Sequence, residues 1–268
     1  MTLQHKLDCL KRKICGYKSC VVAFSGGQDS AFLLKVCSQV LPKENILAVT
    51  AVSATYPKDE LPKAKILAKE IGVKLRVIKT AELDNQRFTA NSVQRCYFCK
   101  KELFSRLIAI ARESKFNFVL DASNLSDRLD YRPGNIAKRE LKVKSPLLEV
   151  GFSKKDIRKT SKELGLSSWD KPSLACLASR IPYGIKITAG LLRRIDQAEA
   201  YLINLGLRQV RLRHYNGLCR IEVEKEDIIS LLRNRQAIVG KLKDLGYKYI
   251  TLDLEGYRTG SLNEVINR

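Results

Sequence analysis

Residues Ser25-Gly26-Gly27-Gln28-Asp29-Ser30 follow the apolar run Val21-Val22-Ala23-Phe24 and have the makings of an anion cradle. Small residues let backbone N–H groups close on a phosphate, and a helix beginning near Ser30 would aim its positive end at it. Ser25 and Ser30 offer hydroxyl donors, and Asp29 offers a carboxylate that can hold a metal or fix the loop. The run is not the G-x-x-x-x-G-K-[ST] pattern, because it has no lysine to reach the outer phosphates. The plainer alternative is a tight strand-to-helix turn without chemistry.

Cysteines form the second constellation. Arg95-Cys96-Tyr97-Phe98-Cys99-Lys100 sets two thiols three positions apart before the helical stripe Leu103/Leu107/Ile110, and a third, Cys176, lies in Ala175-Cys176-Leu177-Ala178-Ser179-Arg180. C-x-x-C spacing suits a metal or cluster, a redox dithiol, or plain structural cysteines. Three thiolates would hold a [4Fe–4S] cluster and leave one iron open for a sulfide. Zinc wants a fourth ligand, and neither His5 nor His214 sits in a motif with the thiols. Arg95, Lys100 and Arg180 would lower nearby thiol pKa values. Cys9, Cys15, Cys20 and Cys37 read as small buried side chains, and Cys219 as a strand filler.

The third constellation is a hairpin. If Asn216-Gly217 is a two-residue turn, Arg213 faces Arg220 and Arg211 faces Glu222, with all four on one side of the ribbon. Two arginines opposite one another repel unless they are solvated or share an anion. A phosphate between them is one answer, and a solvated outer face is the other.

The first loop resembles the Ser-Gly-Gly-x-Asp-Ser signature of PP-loop ATP pyrophosphatases, which cut ATP between the α and β phosphates and adenylate a substrate. With Asn124 to Leu147, Pro172 to Gly184, Val210-Arg211-Leu212-Arg213 and Arg220-Ile221-Glu222-Val223, the chain as a whole is similar to LarE-type sulfurtransferases. The resemblance implies adenylation of a carboxylate of pyridinium-3,5-biscarboxylic acid mononucleotide, then attack by sulfur and loss of AMP. The thiocarboxylates so made belong to nickel-pincer nucleotide cofactor synthesis.

By the same resemblance Ser25, Gly26, Gly27, Gln28, Asp29, Ser30 and Asn124 bind ATP and pyrophosphate, with Mg²⁺. Arg211 and Arg213 contact the substrate phosphate, and Cys176, Asp29, Ser179, Arg180, Glu199 and Glu222 serve catalysis. Cys176 matches the cysteine that one version of the family sacrifices to dehydroalanine. Cys96 and Cys99 match the extra pair of a version that carries a three-cysteine [4Fe–4S] cluster, and the presence of all three favours that version. Asp121-Ala122-Ser123-Asn124 departs from the family's usual Asp-Gly-Thr-Asn.

These residues need elements to position them. Val21–Phe24, Ile46–Val52, Leu75–Ile78 and Phe118–Ala122 read as short strands, with Ala31/Leu34/Leu41 and Ala64/Leu67/Ala68/Ile71 at helical spacing between them. Alternation of this kind predicts a doubly wound parallel sheet with its ligand beyond the strands' carboxyl ends. Lys154–Leu164 reads as a helix capped by Ser153 and ended by Gly165. A helix stripe at Leu191, Ile195, Ala198, Leu202 and Leu205, strands at 209–215 and 218–224, and a strand at Tyr249–Leu252 make a smaller α+β unit. The expected division is 1–166, a connection over 167–187, and 188–268.

Composition sets the outer bounds. The chain has 268 residues, 45% of them hydrophobic, and a net charge of +21. Met1 to Lys18 reads as an amphipathic helix and not a signal peptide, so a cytoplasmic location is expected, with no membrane span. Eight cysteines without an export signal do not suggest a disulfide framework. The basic residues favour anionic ligands but are dispersed, with no RNA-binding appendage. Expected partners are the mononucleotide, a sulfide or other sulfur donor, and further copies of the chain on family precedent. The alternatives are a tRNA-thiolating PP-loop enzyme, an amide-forming or NAD- or GMP-making one, and a non-enzymatic iron–sulfur or nucleotide-binding protein.

Overall fold

The computed structural model describes residues 1–129, 133–173 and 175–264. Leu174, from the Pro172–Gly184 run, and residues 130–132, from the Asn124–Leu147 segment, lie outside the described residues. Two compact units divide the chain: Met1–Ser53, Asp59–Glu82 and Gln94–Leu174 make the first, and Ala54–Lys58, Leu83–Val93 and Ala175–Arg268 the second.

In chain order the first unit opens with α1 (Leu3–Tyr17), β1 (Cys20–Ala23), α2 (Gln28–Val40), β2 (Ile46–Val52), α3 (Glu60–Ile71) and β3 (Leu75–Lys79). After the short α4 (Gln86–Thr89), which belongs to the second unit, it resumes. Its remaining elements are α5 (Arg95–Glu113), β4 (Phe118–Leu120), α6 (Gly134–Glu140), α7 (Pro146–Val150) and α8 (Lys154–Glu163). The sheet order is β3-β2-β1-β4, all parallel. This is the predicted doubly wound class.

Apolar continuity places β1 in the centre. Cys20 and Val22 pack with Phe32 and Leu33 on one face, while Val21 packs with Phe104 and Leu107 on the other. Strands covered on both faces need such unbroken apolar runs. Because β2 and β4 flank β1, the strand order reverses beside it, and in doubly wound sheets such a reversal is where ligands bind beyond the carboxyl ends of the strands. α1 is the predicted amphipathic helix, with Leu7, Leu10, Ile14 and Tyr17 buried. That stripe corrects two cysteine expectations: Cys15 is exposed and Cys9 only partly covered, because the 3.6-residue period turns them off the buried face. Cys20 and Cys37 are buried as expected. At α8, Ser153 and Asp156 form a reciprocal capping box.

The second unit continues with α9 (Ala189–Asn204), β5 (Val210–Tyr215), β6 (Leu218–Val223), α10 (Ile228–Arg233), α11 (Arg235–Asp244) and β7 (Tyr249–Leu252). β5 and β6 are antiparallel, β6 and β7 parallel. Asn216 and Gly217 both have positive φ, 41° and 97°, the backbone a tight hairpin turn demands. The register follows: Arg213 faces Arg220 and Arg211 faces Glu222. The buried face of α9 carries Leu192, Ile195, Ala198, Glu199 and Leu202, so Leu192 and Glu199 take the places expected for Leu191 and Leu205. No helix among the described residues is long and apolar enough to cross a membrane.

Candidate active site

The phosphate loop is held in shape by its own hydroxyls. Ser25 and Ser30 place their Oγ atoms 3.2 Å apart, Gly27 N–H donates to Ser25 Oγ at 3.3 Å, and Ser30 Oγ donates to the Gly27 carbonyl at 3.0 Å. Gly27 caps α2, so the positive end of that helix faces the loop, as its sequence predicts. Gly26 has φ +73°, and a Cβ there would lie 2.7 Å from Ala64 Cβ, so no other residue fits. Thr50 Oγ1 donates to the Phe24 carbonyl at 2.7 Å, which ties the end of β1 to β2.

Asp29, in the first turn of α2, accepts a hydrogen bond from Asn124 Nδ2 at 3.1 Å. Asn124 is wholly buried. Its Oδ1 accepts from Ser126 N–H and its own N–H donates to Asp127, both at 3.0 Å. The loops after β1 and β4 thus meet at the reversal point of the sheet. Gln28 departs from the rest: its side-chain amide donates to the Trp169 carbonyl.

Two lysines here escaped the sequence reading. Lys171 Nζ donates to the Gly26 carbonyl at 2.9 Å and pairs with Glu60 at 2.6 Å. Lys138, itself buried, pairs with Asp121 at 3.1 Å and donates to Ser123 Oγ at 2.6 Å. No local pattern marks either residue. Glu60's carboxyl would be raised by burial, but Lys171 and then Lys63 hold it below the usual carboxylate range.

The three thiols of interest fall in both units. Cys96 and Cys99 lie in the opening turns of α5, partly buried, in the first unit. Cys99 Sγ donates to Glu82 Oε1 at 3.7 Å, an oxygen that also accepts from Thr80 Oγ1. Cys176 is exposed and belongs to the second unit, where it caps the short turn Leu177–Arg180. Leu177 N–H, bonded to the Thr55 carbonyl at 2.8 Å, holds that turn within its unit. Among the described residues no three His, Cys, Asp or Glu side chains gather as a metal site. Cys219 is buried, and burial pushes its thiol up to about 12, which fits a strand filler.

The second unit brings its predicted residues together through buried ion pairs. Arg180 grips Glu199 with two 2.8 Å bonds, and its third nitrogen donates to the carbonyls of Ala175 and Cys176 and to Ser179 Oγ. Burial would lower the Arg180 pKa, but Glu199 holds it above its ordinary value. Arg213 grips Glu222 at 2.8 and 2.9 Å and donates to the Ser179 carbonyl and Ser261 Oγ. Arg220 also reaches Glu222, at 3.0 Å, and Asp253 at 3.4 Å. The opposed arginines thus share an anion, but it is the chain's own carboxylate: Glu222 is wholly buried, Arg211 and Arg213 are buried beside it, and Arg220 is partly exposed. Arg211 stacks over Tyr257, 5.3 Å from the ring centre. Burial and then the nearby Arg180 push its pKa down to about 10.

Comparison with known proteins accords with this arrangement. Residues 3–124 match the family model described as NAD synthase. The chain is 41% identical over 268 residues to an uncharacterized protein of Synechocystis sp., covering 99% of this chain and 100% of that one. It is 31% identical over 242 residues to an uncharacterized protein of Methanocaldococcus jannaschii, covering 90% and 92%. Over 267 residues it is 36% identical to the pyridinium-3,5-bisthiocarboxylic acid mononucleotide synthase of Lactiplantibacillus plantarum, covering 100% of this chain and 97% of the synthase. With a phosphate loop at the carboxyl end of β1 and full-length similarity to that synthase, the chain belongs to the LarE-type family of PP-loop sulfurtransferases.

Proposed function

We propose that this enzyme activates a carboxylate of pyridinium-3,5-biscarboxylic acid mononucleotide with ATP and replaces an oxygen of the activated group with sulfur. Full-length similarity to the synthase supports the substrate. The observation that carries the ATP chemistry is the Asp29–Asn124 hydrogen bond at the sheet's reversal point, which joins the phosphate loop to the loop after β4.

A bare carboxylate resists nucleophiles, so its oxygen first attacks the α-phosphorus of ATP and pyrophosphate leaves. Backbone N–H groups at the start of α2 and the Ser25 hydroxyl take up the departing charge. Asp29 would hold Mg²⁺, which would offset phosphate charge. A sulfur nucleophile then attacks the acyl carbonyl, and AMP departs with the former carboxylate oxygen.

Cys176 is the exposed thiol suited to that attack, and Arg180 braces the turn that presents it. If Cys176 itself gives the sulfur, the thioester's Cβ–S bond breaks as the Cα proton leaves. Dehydroalanine and the thiocarboxylate result. Arg211 and Arg213 are the cations assigned to the substrate phosphate, with Glu199 and Glu222 fixing their surroundings. A [4Fe–4S] cluster held by Cys96, Cys99 and Cys176, which the presence of all three cysteines favours, would spare Cys176 and carry sulfur taken from an outside donor.

The test is anaerobic incubation with ATP, Mg²⁺ and the biscarboxylate mononucleotide, with and without sulfide, followed by mass spectrometry of product and protein. Thiocarboxylate product is expected, with turnover dependent on sulfide and Cys176 intact. Dehydroalanine at position 176 would instead make Cys176 the sacrificed sulfur donor and overturn the cluster version. The net charge of +21 favours a second reading, thiolation of tRNA. RNA copurification with steep salt dependence, and no product from the mononucleotide, would establish it.

A further inference from the structure

The phosphate loop lacks a lysine in its own sequence, yet an ammonium group sits on it. Lys171, 145 positions from Gly26, donates to the Gly26 carbonyl at 2.9 Å and to Glu60 Oε2 at 2.6 Å. Glu60 opens α3 beside the loop and is only 8% exposed, with Lys63 as its other partner at 3.0 Å. The segment bearing Lys171 is fastened at further points. Gln28 donates to the Trp169 carbonyl, and Ser167 bonds Glu70 through its N–H at 3.2 Å and its hydroxyl at 2.6 Å.

A loop that takes up pyrophosphate must present donors. Here an acceptor, the Gly26 carbonyl, and a carboxylate, Glu60, lie in or beside it. Lys171 answers both. It fixes the Gly26–Gly27 peptide so that its oxygen is engaged away from the anion, and it offsets the Glu60 charge. Without it, Glu60 would keep Lys63, whose side chain is 53% exposed and correspondingly screened.

We propose that Lys171 is a positioning residue of the phosphate loop, fixing the Gly26 carbonyl and neutralising Glu60 so that pyrophosphate meets only donors. The proposal rests on Ser25–Ser30 being the phosphate site, but it requires no contact between Lys171 and the phosphates.

The test is calorimetric titration of the full-length protein with inorganic pyrophosphate. Lys171→Met is expected to weaken binding about tenfold, and Lys171→Arg to restore it to within about threefold. The double variant Lys171→Met/Glu60→Gln removes both charges at matched volume. It is expected to recover most of the lost affinity, an outcome that a purely structural role or a direct phosphate contact would not produce. A double variant as weak as Lys171→Met, or a Lys171→Met protein that binds as wild type does, overturns the proposal. Should Lys171→Met not fold, the Lys171→Arg and double variants still decide it. Binding near the wild-type level in both supports the proposal, and a tenfold loss in the double overturns it. Wild-type protein that binds no pyrophosphate overturns the phosphate role of the loop itself, a failure distinct from the others.

Discussion

Asn124 Nδ2 donates to Asp29 Oδ2 across 3.1 Å, so residues 95 positions apart in the chain share one hydrogen bond where the sheet changes direction. The same Asn124 side chain accepts from Ser126 N–H, so one amide both shapes its own loop and orients Asp29. Asn124→Asp keeps the acceptor but sets a second carboxylate against Asp29. Pyrophosphate release should fall about 10²-fold. A rate equal to wild type would show that Asp29 needs no such orientation.

Gly26 combines φ +73° with a Cβ position 2.7 Å from Ala64 Cβ. Gly26→Ala should cost about 1–2 kcal/mol in backbone strain alone, read from urea unfolding, and abolish ATP-dependent pyrophosphate release. Adding Ala64→Gly removes the contact but not the strain, so recovery should be partial.

Glu222 stands between Arg213 and Arg220 at zero exposure. Glu222→Gln leaves two facing guanidinium groups without their shared charge, and the second unit should lose about 3–5 kcal/mol of stability. Inorganic phosphate should raise the melting temperature of this variant more than that of wild type. Equal shifts would mean that the gap between the arginines does not admit an anion.

Thiol reactivity should follow exposure. Iodoacetamide under native conditions should label Cys15 and Cys176 first and leave Cys20, Cys37 and Cys219 unmodified, as read by peptide mass spectrometry. Hydrogen bonding to Cys20 and burial hold the Cys37 thiol well up, and burial pushes Cys219 to about 12. Early labelling of Cys219 would contradict the packing of β6.

His214 is buried on β5 beside the Tyr247 ring, and burial followed by Arg194 holds its pKa below the ordinary 6.5. The unfolded chain then binds a proton that the folded one resists, so stability falls as pH drops below about 6.5. Urea midpoints at about pH 7.5 and pH 5.5 should show that fall in wild type and a shallower one in His214→Gln. The slope is the readout, because the substitution also changes absolute stability.

Much of the architecture is legible locally. An apolar run without alternation made β1 central, and Asn216-Gly217 set the hairpin register, because only residues that tolerate positive φ fit a two-residue turn. Ser153 announced α8, because a cap acts within a few residues of itself, here on Asp156 three positions on. The phosphate loop was legible for the same reason: its residue types act within six consecutive positions.

Tertiary structure alone decided the neighbours of those residues. The shared anion of Arg213 and Arg220 is Glu222, whose inward orientation depends on a core closing over the hairpin. Arg180 finds Glu199 only because α9 packs against the Leu177–Arg180 turn. The ammonium that the loop lacks in sequence arrives from Lys171, through contacts spanning 145 and 111 positions. Residue type and spacing state what chemistry a short segment can perform. Which distant charge meets it is determined by chain folding, because Coulomb interaction and hydrogen bonding depend on distance in space and not along the chain.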